Sequence, residues 1–273
     1  MVIEDPDRYD FEEFRGIDIY EPGTKLEREV NWDTLFRVLL FTGGSFVLAM
    51  GLLLFIMIPL INAGMIVINV VTFGVTFKPW ALLLVSLSEI GFIVPPMLYA
   101  KRRALPLASV GLKSSAPATD IALGLLVGIV MLIANIGVTG FVSWLINTVT
   151  GTQISTGPSA FIASGTQELI AWIAVMFVVV GLSEETVFRG FLQRRVQMYF
   201  RTRSSRSGTK SILITSLVFA AAHLDLTGLP SLFVLSLFLG YLAEKRRYSV
   251  LGPAVAHGFN NAAVVVLATL FGF

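Results

Sequence analysis

The sequence predicts an all-α fold, a polytopic helical membrane protein with seven or eight transmembrane helices around a polar cavity. Three observations carry that expectation. Of the 273 residues, 55% are hydrophobic and only 14% charged, where soluble domains carry about a quarter charged residues. The mean hydropathy is +0.79. The apolar residues also gather into runs near the roughly 20 residues that a spanning helix needs, and both histidines, His223 and His257, fall inside such runs.

Residues 1–35 read as an acidic tail on the cytoplasmic side, holding 11 of the 18 acidic side chains by Asp33. An acidic start is the wrong n-region for a cleaved signal peptide, so the first apolar span is expected to stay as an anchor. Residues 36–273 form the transmembrane domain. Seven stretches approach spanning length: 36–62, 80–100, 119–147, 168–188, 210–223, 229–244 and 250–271. Residues 64–77 are a short eighth candidate, re-entrant or tilted. Pro95-Pro96 is expected to kink the second span near its cytoplasmic end. Gly124 and Gly128 form a small-xxx-small pair, a pattern that lets helices approach but arises often by chance.

Lys and Arg in the loops set orientation. Lys101-Arg102-Arg103, the run from Arg189 to Lys210, and Lys245-Arg246-Arg247 are expected to face the cytoplasm. With seven spans the acidic tail shares that side; an eighth at 64–77 moves the tail and first helix across. The absence of cysteine removes disulfides, thiolate ligands and a cysteine nucleophile. No internal repeat supports an inverted-repeat transporter.

Ionisable groups at membrane depth cost several kcal/mol and mark functional candidates. In GLSEETVFRGF, Glu185 and Arg189 stand four apart with the acid first, the favoured order for a helical ion pair. Glu184 is turned about 100° away and lacks a partner in that turn, which suits it to proton transfer. His223 ends FAAAH, with Phe219 one turn before it and Asp225 just beyond. His257 and Asn261, in HGFNN, share a helical face, and an imidazole beside an amide can hold a polarised oxygen. Asn260 lies on a neighbouring face and is the weaker candidate. Glu89, after Ser86 and Ser88, is the next ionisable group to explain. Asp120 and Glu168 sit near helix starts, where acids suit the macrodipole.

In this order, EETVFR as E-E-x-x-x-R, FAAAH as F-x-x-x-H and HGFNN containing H-x-x-x-N resemble the CPBP family of CAAX prenyl proteases and bacteriocin-processing or immunity proteins. The resemblance covers about 165–266. It implies an intramembrane endopeptidase in which Glu184 activates water without a metal and His223 orients that water. His257 and Asn261 then stabilise the oxyanion, with Glu185 and Arg189 supporting. The implied partners are a prenylated CAAX protein or another membrane-associated peptide, together with the lipid bilayer and no nucleic acid. Localisation is the cell membrane in a prokaryote and the endoplasmic reticulum membrane in a eukaryote. No cofactor is expected. Glu184, His223 and His257 are zinc-ligand types and give a zinc alternative, but the helical H-E-x-x-H signature is missing. The alternative function is a non-proteolytic bacteriocin-immunity or scaffold protein that binds a peptide.

Overall fold

The computed structural model describes residues 30–69, 71, 74–151, 161–201 and 203–272. Most of the acidic tail expected over 1–35 lies outside them. The described residues form seven helices and one small hairpin. Helix α1 (Trp32–Asn62) starts where the Asn31 side chain accepts the Thr34 N–H at 2.8 Å, satisfying one of the donors a helix start leaves free. It carries no charge beyond Arg37. Its Val47 and Phe55 are each 75% exposed, an arrangement that suits lipid and not water.

The eighth candidate at 64–77 forms no helix among its described residues. Its residues pair instead as antiparallel strands β1 (Ile66–Ile68) and β2 (Val75–Phe77). Ile66, Val67, Ile68, Val75 and Thr76 are β-branched, which disfavours a helix and suits a pleated strand. The hairpin reverses the chain at one end of the bundle and returns it into α2.

Helix α2 (Ala81–Arg102) is a composite. Its middle, Leu87–Phe92, tightens to a 3₁₀ winding, and Pro95-Pro96 open the following α-helical part. The break therefore sits just ahead of the prolines. Pro96 has no N–H to give the Phe92 carbonyl, and the Ser45 hydroxyl of α1 donates to that carbonyl at 3.0 Å instead. Within a bilayer such a freed carbonyl must find a protein partner. Gly91 permits the approach, because a Cβ there would lie 3.0 Å from the Ala49 backbone.

Helix α3 (Pro117–Thr150) packs most extensively on α7 (Leu251–Phe271). The Gly124/Gly128 pair is that seam: a Cβ at Gly124 would meet the Gly252 carbonyl at 2.6 Å, and one at Gly128 would meet Phe259 at 3.0 Å. Helix α4 (Thr166–Arg201) is the long central helix. The expected stretches at 210–223 and 229–244 become α5 (Ser207–Ala222) and α6 (Leu229–Lys245), packed as a hairpin. At 1.5 Å per residue, α5 is about 24 Å long, shorter than the about 30 Å hydrocarbon core. Five helices, α1, α2, α3, α4 and α7, are long and apolar enough to cross a membrane. The chain is a multi-pass membrane protein.

The basic segments meet at one end. Arg194 and Arg195, both buried, donate to the carbonyls of Ala108 and Ser109. Gln197 donates to Glu244 at 3.1 Å, and the Tyr248 hydroxyl donates to Gln197. The ring of Trp32, at the start of α1, lies 6.4 Å from that of Tyr199, so the first helix enters from this end too. Asp120 binds Arg246, Ser114 and Ser249, while Glu168 accepts from Trp80 and Ser164 at the other end. Both acids tie a helix start to a neighbouring segment, the structural part their positions suggested.

Candidate active site

The Glu184-Glu185 pair occupies one α-helical turn, Leu182–Glu185, at the middle of α4. It lies between two π-wound stretches, Met176–Gly181 and Thr186–Gln193. Wide turns of this kind concentrate at functional sites. Glycines let the turn press against α7. A Cβ at Gly181 would meet the Ala254 carbonyl at 2.6 Å, and one at Gly258 would meet the Phe177 Cα at 2.7 Å.

That approach brings two helices' polar side chains together. Glu185 is fully buried and uses both oxygens: Oε2 lies 3.1 Å from Arg189 Nε, and Oε1 lies 2.9 Å from His257 Nδ1. The ion pair expected from the four-residue spacing is present, with His257 added to it. Arg189, also fully buried, donates to the Ser236 hydroxyl of α6 at 3.1 Å, and its guanidinium lies 4.6 Å from the Phe219 ring centre. A stacked, hydrogen-bonded arginine is the form in which a buried cation is best tolerated.

Glu184 is 8% exposed, and its Oε2 has no hydrogen-bond partner. It lies within electrostatic reach of His257 and Arg189. Across from it stands Glu89, on the 3₁₀ stretch of α2 that packs against the Glu184 turn, with its own Oε2 likewise buried and without a partner. Asn261 is half-buried one turn beyond His257. Its Oδ1 accepts the Asn260 amide at 3.1 Å, which leaves the Asn261 amide N–H groups free to donate. Asn260, which spacing alone ranked lower, is thus buried beside Asn261 and orients it.

His223 is placed differently. It caps the end of α5, exposed, with its Nδ1–H donating to the Phe219 carbonyl at 2.8 Å. The Phe219 ring stands between the two histidines, 4.7 Å from His223 and 5.9 Å from His257. Asp225 lies in the loop beyond. The Gly228 N–H and the Thr227 hydroxyl hold its carboxyl below the usual range, so it stays ionised near His223. The structure thus gathers Glu184, Glu185, Arg189 and His257 with Asn261 alongside, and sets His223 one aromatic ring away.

Among the described residues, no three His, Cys, Asp or Glu side chains converge on a point where a metal ion would sit. Glu184, His223 and His257 do not assemble into the alternative zinc set. Sequence reasoning missed Ser236, which carries no signal within its apolar helix. It also missed that Glu89 faces Glu184, a pairing that depends on helix packing.

Fold and cluster together define a class: a multi-pass helical membrane protein with a carboxylate–imidazole–amide site buried in its bundle. Residues 166–263 match the family model described as type II CAAX prenyl endopeptidase Rce1-like. The match agrees with the resemblance carried by the three motifs, and all of the motif residues fall inside it. The family is one of membrane-integral, CAAX-type peptide-bond hydrolases. No curated protein and no solved structure matches the chain.

Proposed function

We propose that the protein is an intramembrane endopeptidase that hydrolyses a peptide bond with water activated by Glu184. The observation that carries this reading is the Glu184 carboxylate, buried with a free oxygen beside an imidazole braced by Glu185. In the step we assign, Glu184 takes a proton from water and the hydroxide oxygen bonds to the scissile carbonyl carbon. The resulting oxyanion is held by His257 Nε2–H and an Asn261 amide N–H. Glu185 accepts the other imidazole proton at Nδ1, which turns Nε2 toward the substrate. The C–N bond then breaks, and Glu184 returns its proton to the departing nitrogen. A positioned base contributes about 10²–10⁴-fold, and one oxyanion donor about 10²–10³-fold. His223, which stands on the far side of the Phe219 ring from His257, is assigned the orienting of the attacking water. The chemistry is assigned to the glutamate without a metal.

The substrate class we favour is the prenylated CAAX protein, from which the C-terminal tripeptide would be removed; another membrane-associated peptide suits the same chemistry. The test is cleavage of a fluorogenic farnesylated CAAX peptide by purified wild type and Glu184→Ala, with and without a strong chelator. Chelator-resistant cleavage that disappears in the variant is the expected result. Cleavage that the chelator abolishes would overturn the metal-free assignment, and full activity in Glu184→Ala would overturn the role of Glu184.

A further inference from the structure

The motifs leave one intramembrane carboxyl group unaccounted for. Glu89 belongs to α2, outside the segment matched by the family model. The 3₁₀ winding of Leu87–Phe92, enforced by the prolines that follow and by the close Gly91–Ala49 contact, turns it inward against the Glu184 turn. Glu89 Oε2 and Glu184 Oε2 are both buried atoms without a protein partner. Two carboxyl groups so placed in a low-dielectric interior cannot both carry charge without strong repulsion. A hydrogen bond between them requires one proton, held by the pair.

Among the described residues, no neighbouring cation relieves the Glu89 side. Along its packed length α1 brings no ionisable residue, and Met176–Gly181 and Ala81–Ser86 bring none. Lys101 and Arg102 lie at the far end of α2. The Glu184 turn presents Glu184 and Glu185, and Glu185 is already engaged by Arg189 and His257.

We infer that Glu89 is a positioning residue for Glu184: as the carboxylic acid of the pair it donates a hydrogen bond to the Glu184 carboxylate and aims the free oxygen at the attacking water. Glu89 acts through Glu184 and exchanges no atom with the substrate. The inference rests on the proposed hydrolytic reading. With one proton on the pair, Glu184 is a base with a fixed orientation. With two protons it is no longer a base, and with none it loses its donor. Activity is therefore expected to fall on the alkaline side as Glu89 loses its proton.

Glu89→Gln keeps a neutral donor of the same shape, and Glu89→Leu removes it. The expected result with the farnesylated peptide is that Glu89→Gln stays within about 3-fold of wild-type kcat, as a retained hydrogen bond requires. It also loses the alkaline limb attributed to Glu89. Glu89→Leu is expected to lose about 10²-fold in kcat, the scale of a misplaced catalytic group, with KM little changed. A Glu89→Gln profile superimposable on wild type, a Glu89→Gln enzyme as inactive as Glu184→Gln, or a fully active Glu89→Leu would each overturn the inference.

Infrared difference spectroscopy of the purified protein supplies a readout that needs no cleavage. Wild type should show a carboxylic-acid C=O band that titrates and that is lost in correctly folded Glu89→Gln. If wild type cleaves nothing yet shows that band, the hydrolytic reading fails and the shared proton stands. If the peptide is cleaved but no such band exists, the role of Glu89 fails alone.

Discussion

Glu185 receives two partners at once, one from its own helix and one from α7, and its neighbour Glu184 receives none of the cations directly. That asymmetry divides the labour of adjacent, identical side chains. Removing one member of a fully buried ion pair leaves the other charge without compensation, at a cost of about 3–5 kcal/mol. Glu185→Gln is therefore expected to lower the thermal unfolding midpoint in detergent markedly. It should lower activity as well, because His257 loses the carboxylate that holds its ring in place with Nε2–H toward the substrate. Glu184→Gln, which breaks no direct ion pair, should unfold within about 1 kcal/mol of wild type, since no interaction of the large-effect kind is lost, while hydrolysis disappears. Unfolding measurements on both variants decide the matter; a stable Glu185→Gln beside an unstable Glu184→Gln would reverse the division. The four-residue spacing from Glu185 to Arg189 made their half of this legible in the sequence. The bond from Glu185 to His257 was not, since 72 residues separate the two and only packing brings them together.

At the scale of helices, the site depends on how closely α4 and α7 approach. Gly181 and Gly258 sit where a single methyl group would strike the opposing backbone. A tightly packed contact of this kind resists added volume, at typically 1–3 kcal/mol. Gly258→Ala is expected to destabilise the protein on that scale and to reduce activity by pushing Glu185 away from His257. Gly137→Ala is the matched control, because a Cβ at Gly137 meets nothing within 4 Å and alanine favours a helix interior by about 0.5–1 kcal/mol. Equal unfolding curves for the two variants would count against the close approach. The sequence showed these glycines without showing their use: in apolar runs a small-xxx-small pair is common by chance, and Gly124/Gly128 gained weight only once α7 was packed on it. The π winding around the Glu pair was equally hidden, because hydrophobic spacing reports a mean period and not a local widening. Residues 64–77 stayed open between a tilted span and a re-entrant segment because length alone does not decide between them; only the pairing of Ile66–Ile68 with Val75–Phe77 does.

For the whole molecule, the order of passes is set by which segments share an end. The start of α1 and the basic segments after α2, in the last turns of α4 and after α6 are joined by side-chain hydrogen bonds and ring contacts. The β-hairpin, the end of α3 and the start of α4 lie at the other end, where Glu168 accepts from Trp80. This was partly readable from Lys and Arg counts, which depend on composition alone. The remaining ambiguity, on which side the first helix begins, disappears once 64–77 turns back as a hairpin. Since loops rich in Lys and Arg stay inside, the end bearing them is expected to be cytoplasmic. The chain has no cysteine, so each single substitution supplies one thiol for a membrane-impermeant maleimide. In sealed right-side-out vesicles, Ala63→Cys and Thr150→Cys should label directly, whereas Lys101→Cys, Arg203→Cys and Lys245→Cys should label only after permeabilisation. Direct labelling of the second group and protection of the first would invert the molecule. A mixture within either group would break the two-ended arrangement itself. If the expected pattern holds, the access route to Glu184 should be sought from the basic end. There α4 leaves the bundle and α7 begins, six residues before His257, so a cytoplasmic peptide would reach the site without crossing the bilayer.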